Sequence, residues 1–255
     1  MSRIFITGSA DGLGLAAARA LEAEGHKVVL HARSQERAET IIDVVPNRLG
    51  MVIGDLSGDE QTRSVADQVN AFGRMDAVIH NAGVYLVPGR EPTEDRHAKT
   101  LAVNTLAPYI LTAMIQRPDR LVYLSSGMHR SGRSSLDDID WVQRRWSASQ
   151  AYSESKLYVA TLAAAVARIW PDVLSNSVDP GWVPTKMGGA NAPDDLQMGH
   201  ETQAWLAVSE DAQAKVSGAY WYHGQQNTAA PAVNDPAFQE RLLDKLAELT
   251  DLTLL

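Results

Sequence analysis

Along the chain, short apolar runs alternate with longer stretches whose apolar side chains recur at helical spacing. "RIFITG", "KVVLHARS" and "MVIGD" are apolar or β-branched and end in turn residues, which predicts strands. Between them, "LGLAAARALEAEG" and "ERAETIIDVV" read as helices. The alternation continues through "DAVIHNAG", a helix around "HAKTLAVNTLAPYILTAMI", the strand "RLVYLSS", the helix "SESKLYVATLAAAVARIW", the strand "VLSNSVDPG" and a late strand "GAYWYHG". Strands separated by helices pair in parallel, because each crossover returns the chain to the same direction. The expectation is an α/β fold: a single domain over residues 1–255, with one doubly wound sheet of seven parallel strands flanked by helices. No repeat, low-complexity tract or linker marks a second domain.

Two segments break the rhythm. Residues 127–150, "GMHRSGRSSLDDIDWVQRRWSASQ", and residues 183–200, "VPTKMGGANAPDDLQMGH", are long for connections in a compact domain. Each follows the carboxyl end of a strand, where open α/β sheets bind ligands. They are expected to form an active-site loop and a substrate lid, with Gly188 and Gly189 either hinges of the latter or ordinary glycines of a flexible surface loop.

Composition narrows the partners. The 255 residues are 45% hydrophobic and 21% charged, and acidic side chains outnumber basic ones 31 to 23 with no basic block. Nucleic acid is therefore not expected as a partner. Cysteine is absent, which removes thiolate chemistry and Cys-ligated zinc and fits a reducing, cytoplasmic location. The start of the sequence reads directly into a strand, with no secretory signal expected. "LYVATLAAAVA" is well short of the roughly 20 apolar residues that span a bilayer, so no membrane association is expected. His129, His200 and His223 form no metal-binding spacing, and no metal is expected.

Directly after the first strand, "TGSADGLG" places Gly8, Gly12 and Gly14 ahead of a helix. Glycines there allow a tight turn and close approach of backbone to a pyrophosphate, which the helix N-terminus favours. Thr7, Asp11 and Leu13 belong to the same turn. After the second strand stand Ala32, Arg33 and, one turn on, Arg37; an acidic residue here would suit a free ribose, whereas Arg suits a 2′-phosphate. NADP(H) is therefore the expected cofactor, with NAD(H) possible. Asp11 is an acidic neighbour working against that preference, and surface charge is the other reading of the two arginines. Asp55 either accepts a hydrogen bond from adenine or, with Ser57, caps the next helix.

Over its whole length the sequence resembles the short-chain dehydrogenase/reductase family. The residues that carry the resemblance are "TGSADGLG", "NAG" at Asn81, Ala82 and Gly83, Asn104 in "LAVNTLAPY", "YLSSG" around Ser126, Tyr152 and Lys156 in "YSESK", and "PGWVPT". The resemblance implies a Rossmann-type domain and a catalytic group of Asn104, Ser126, Tyr152 and Lys156. It implies cofactor contacts from Asp55 and Leu56, from Asn81, Ala82 and Gly83, and from Pro180, Gly181, Val183 and Thr185, with Tyr152 and Lys156 also reaching the cofactor. Ser126 precedes Tyr152 by 26 positions, a longer interval than in the simplest members, and similar to that of retinol dehydrogenases and related bacterial reductases. A homodimer or homotetramer through the helices carrying Asn104 and Tyr152 is implied as well.

The chemistry implied is interconversion of a small-molecule carbonyl and alcohol. A phenol with a pKa of about 10 is a weak base at neutral pH, and an ammonium one helical turn away favours its ionised form. Lys156 is expected to lower the Tyr152 pKa in this way and to hold the cofactor ribose. Ser126 is expected to donate a hydrogen bond to the substrate oxygen. Oxidation of a lipophilic alcohol of the retinol or steroid kind, and a non-catalytic NADPH-sensing or scaffold role, are the alternatives. Trp141 and Trp146 either line an apolar pocket or anchor the long loop to the core.

Overall fold

The computed structural model describes residues 1–254; of the span 1–255 expected as one domain, only Leu255 lies outside it. The chain runs β1 (Arg3–Ile6), α1 (Gly12–Ala23), β2 (Lys27–Ala32), α2 (Gln35–Glu39), β3 (Gly50–Ile53), α3 (Asp59–Ala71) and β4 (Ala77–His80). Then come α4 (Lys99–Leu101), a π-helical turn (Ala102–Leu106), α5 (Ala107–Met114), β5 (Arg120–Leu124), a 3₁₀ turn (Gly127–Ser131) and α6 (Ala148–Ile169). The last part holds β6 (Leu174–Asp179), α7 (Leu196–Val208), β7 (Tyr220–Tyr222), β8 (Gln225–Asn227) and α8 (Pro236–Thr250).

The strands form one sheet in the order β3-β2-β1-β4-β5-β6-β7-β8. The first seven pair in parallel, as expected. The sheet has eight strands rather than seven, because β8 folds back antiparallel on β7 after the tight turn at His223 and Gly224. Its three residues, Gln-Gln-Asn, are polar and exposed, so no apolar run announced it.

Period-two alternation divides the core. Ile4, Ile6, Val28 and Leu30 pack on one face with Ala17, Ala18 and Leu21 of α1 and Leu206 of α7. Phe5, Val29 and Val52 face the other way, toward Val65 and Val69 of α3 and Ile110 of α5. The order of strands reverses between β1 and β4, and the crevice above their carboxyl ends is where ligands bind in such sheets.

The long segments differ from expectation. Beyond its 3₁₀ turn, the 127–150 segment packs over the outer side of α6: Tyr158 donates to Ser135 O (3.1 Å) and Arg144 pairs with the buried Glu154. Trp141 and Trp146 stack edge to face, and Trp146 Nε1 donates to Val87 O, so both anchor the loop. No residue of 127–150, expected as an active-site loop, lines the cleft above the strand ends. The expected lid ends earlier than 200, because Asp195 caps α7 and residues from Leu196 onward are helical.

Candidate active site

Geometry at the start of α1 explains its glycines. Gly8 and Gly12 have φ of +63° and +51°, and a side chain on Gly8 would bring its Cβ within 2.9 Å of Ala82 Cα. A Cβ on Gly14 would collide with Asn81 Nδ2 and Gly8 O. The turn is thus pressed against residues 81–83, where Asn81 Nδ2 donates to Thr7 O (2.9 Å) and Ala82 N–H donates to Thr7 Oγ1 (3.0 Å). Thr7 and Gly14 support the site from behind, while Gly8, Asp11, Gly12 and Leu13 face a cleft of about 580 Å³.

The same cleft is lined by Arg33 and Arg37 at one end and by Asp55, Leu56, Asn81, Ala82 and Gly83 along its middle. Tyr152, Lys156, Pro180 and Thr185 line the other end. A glycine turn packed too closely against residues 81–83 to admit side chains at Gly8 and Gly14, the N-terminus of α1 and flanking arginines fit a nicotinamide dinucleotide. Asp55 accepts from Ser57 N–H (2.9 Å) in a local turn, and Gly58 occupies the N-cap of α3, so neither Asp55 nor Ser57 caps that helix. Among the described residues, no group of three or more His, Cys, Asp and Glu is placed to hold a metal.

One residue of this end was not anticipated. Buried His31 accepts from Gly8 N–H at Nδ1 (2.9 Å), and its Nε2 bonds Gly54 O (2.9 Å), tying the glycine turn to β2 and β3. Burial pushes its pKa down to about 4, so the ring is neutral with its proton on Nε2. The only signal in the sequence was a polar side chain inside an apolar strand.

At the reaction end, Tyr152 and Lys156 stand one turn apart on the inner side of α6 and are 7% and 5% exposed. Lys156 Nζ donates to Leu124 O (2.8 Å), where β5 ends, and lies 5.7 Å from the centre of the Tyr152 ring. Tyr85 meets the Tyr152 ring edge to face at 4.7 Å. Ser126 caps the 3₁₀ turn by accepting from Met128 N–H (3.3 Å), and it is near enough to the Tyr152 phenol to lower its pKa. Asn104 lies behind the cleft surface. Its Oδ1 accepts from Val84 N–H (2.8 Å), and its Nδ2 donates to Val84 O (3.0 Å) and Ser155 Oγ (2.9 Å). The π-helical turn holds Asn104 there, a local widening of the helix often found at functional sites.

The charges differ from expectation in one respect. Burial raises the Tyr152 phenol above its ordinary value, with Ser126 acting in the opposite direction, and Lys156 is not among the groups that shift it. Burial also pushes Lys156 down to about 8, opposed by the carboxylate of Asp179. At neutral pH the pair is therefore a neutral phenol beside an ammonium.

The segment after β6 contributes less uniformly. Gly181 takes φ +80°, and its N–H donates to Asp179 Oδ1 (3.0 Å), while Val183 is buried against Gly199 of α7; neither lines the cleft. Lys186 and Met187 do line it, and neither was anticipated. Lys186 Nζ donates to Asp11 Oδ2 (2.5 Å), a partner 175 positions away that no local pattern reveals.

Known proteins resemble this chain over its whole length. The family described as short chain dehydrogenase matches residues 2–128. "Short-chain dehydrogenase chyC" of Penicillium rubens is 39% identical over all of this chain and 99% of its own length. Human "Retinol dehydrogenase 13" is 27% identical across 98% of this chain and 84% of its own. Among solved structures, a blue fluorescent protein from a metagenomic library, crystallised with NADPH, superposes with a TM-score of 0.71 at 22% identity, covering 87% of this chain and 95% of its own.

Proposed function

The chain belongs to the short-chain dehydrogenase/reductase family, and on that premise we propose that it is an NADP(H)-preferring oxidoreductase that interconverts a carbonyl and an alcohol, with Tyr152 as acid and base. The observation that carries the reading is the buried Tyr152–Lys156 pair at one end of the glycine-lined cleft.

When bound, a nicotinamide supplies or accepts the hydride. Tyr152 holds the proton at its phenol oxygen, because burial keeps it neutral, and gives it to the alkoxide that develops from the carbonyl. The Ser126 hydroxyl donates a hydrogen bond to the same oxygen, and Lys156, charged below about pH 8, lowers the energy of the phenolate left behind. Asn104 is pinned to Val84 and Ser155 and so fixes the wall of the cleft beside Gly83 and Lys156.

The preference for NADP(H) is supported by Arg33 and Arg37 at the far end of the cleft. The objection raised by Asp11 is reduced, since its carboxylate pairs with both Arg37 (3.0 Å) and Lys186 (2.5 Å). A structural neighbour crystallised with NADPH points the same way. No observation at the site favours a lipophilic alcohol in particular, and a sensing or scaffold protein would have no use for the buried pair. Among the described residues, no helix is long and apolar enough to cross a membrane.

The test is a panel of carbonyls and alcohols followed with both cofactors by nicotinamide absorbance. NADPH should bind more tightly than NADH, and Arg33→Ala should weaken NADPH about tenfold while leaving NADH nearly unchanged. Equal affinity for the two cofactors would contradict the preference, and no turnover with any pair would contradict the activity.

A further inference from the structure

Asp11 carries two cations from separate parts of the chain. Its Oδ1 accepts from Gly12 N–H (2.9 Å), while Oδ2 accepts from Arg37 at the start of α2 and from Lys186, beyond the end of β6. The Lys186 pairing is the larger influence holding the Asp11 carboxyl below its ordinary value. Yet the Lys186 side chain is 78% exposed, and an exposed ion pair contributes little to stability. Its position is the more informative feature.

A chain that leaves β6 and touches the cap of α1 passes over the ends of β5, β4 and β1. That path crosses the reversal of strand order, where a dinucleotide's pyrophosphate meets the first turn of the first helix. Thr185, the residue before Lys186, stands 3.6 Å from the position a Cβ would take on Gly12. Lys186 itself lines the cleft together with Gly12 and Leu13. We propose that Lys186 is a ligand of the cofactor's pyrophosphate, brought from the opposite wall of the cleft to the glycine turn, where the Asp11 carboxylate competes with the phosphates for it. This rests on the reading that the cleft binds a nicotinamide dinucleotide.

The division of labour that results is testable. Lys186 meets the diphosphate that NADH and NADPH share, whereas Arg33 meets the 2′-phosphate that only NADPH carries. Asp11 pairs with the ammonium, and phosphate oxygens at the α1 amides would draw it to a second anion close by.

The experiment titrates NADPH and NADH, by nicotinamide fluorescence at low and high salt, into the wild-type protein, Lys186→Ala and Asp11→Asn. Lys186→Ala should weaken both cofactors by the same factor, about tenfold, and flatten the salt dependence of binding. Asp11→Asn, which keeps a capping side chain, should tighten both cofactors, since it frees the ammonium and removes an anion beside the phosphates. A loss confined to NADPH, unchanged affinities in Lys186→Ala, or an equal loss in Asp11→Asn would each overturn the proposal; the last would make Lys186 a latch for its own loop. A wild-type protein that binds neither dinucleotide would overturn the oxidoreductase reading beneath it.

Discussion

Glu154 and Lys156 sit two residues apart on α6 and therefore point to opposite sides of one helix, and both are buried, at 1% and 5% exposure. On the outer side, both oxygens of Glu154 accept from the fork of Arg144 (2.9 and 2.6 Å), whose guanidinium lies 3.6 Å above the Trp141 ring. On the inner side, Lys156 has a single hydrogen bond to Leu124 O and, among the described residues, no carboxylate within ion-pair distance. Burial then displaces its pKa to about 8. A buried charge matched by a bidentate partner holds structure together. A buried charge left partly unmatched costs stability and remains available for chemistry.

The sharpest break of that contrast is Lys156→Met. Turnover should fall by roughly 10²–10⁴-fold, the usual scale for groups assisting proton transfer, while the melting temperature stays the same or rises. Loss of both activity and stability would move Lys156 to the structural side. The opposite result is expected on the outer side, where Arg144→Ala leaves Glu154 buried and unpaired. Stability in urea should drop by about 3 kcal/mol with turnover retained, and adding Glu154→Leu should restore much of the loss.

Titration sharpens the comparison without mutation. Lys156 must be charged to support the phenolate, so kcat should fall as pH rises through about 8. The sign for stability is reversed. The folded pKa lies below the unfolded value of about 10.4, so the unfolded state binds more protons between these values, and stability should rise with pH across that window. Thermal melts at pH 8 and 9.5 should show the rise in the wild-type protein and its absence in Lys156→Met.

The smallest effect concerns association. The outer side of α6 is covered by the 133–147 segment and by α8, and the tail is tied down where Tyr109 donates to Leu252 O (2.8 Å) and Trp170 to Leu254 O (3.0 Å). Subunit pairing through this side of α6, as the family resemblance implied, would have to displace these elements. Cross-linking should therefore give no subunit contact along the outer side of α6, and a stable dimer joined there would contradict this account of that side.

The inner side of α6 was legible in the sequence and the outer side was not, for a physical reason. Tyr152 and Lys156 lie one turn apart, and the glycine turn, Ser126 and "PGWVPT" each sit next to a strand end, so order along the chain carried the site. The strands were legible because β1 through β5 are nearly continuous apolar runs. What stayed hidden depends on distant partners or on backbone alone. The Lys186–Asp11 and Arg144–Glu154 pairs, the His31 bridge to Gly8 and Gly54, and the carbonyl of Leu124 that receives Lys156 leave no periodic trace. The π-helical turn at Asn104 lies within a stretch that reads as uninterrupted helix. The upward shift of Tyr152 was missed because spacing shows a neighbour's charge and not the depth of burial.

The central claim, that the inner side of α6 is the reaction centre, is tested most directly by Tyr152→Phe assayed against NADPH binding in the same preparation. Removing one hydroxyl should abolish turnover on every carbonyl the wild-type protein reduces, with the NADPH dissociation constant unchanged. Turnover that survives the substitution would contradict the account.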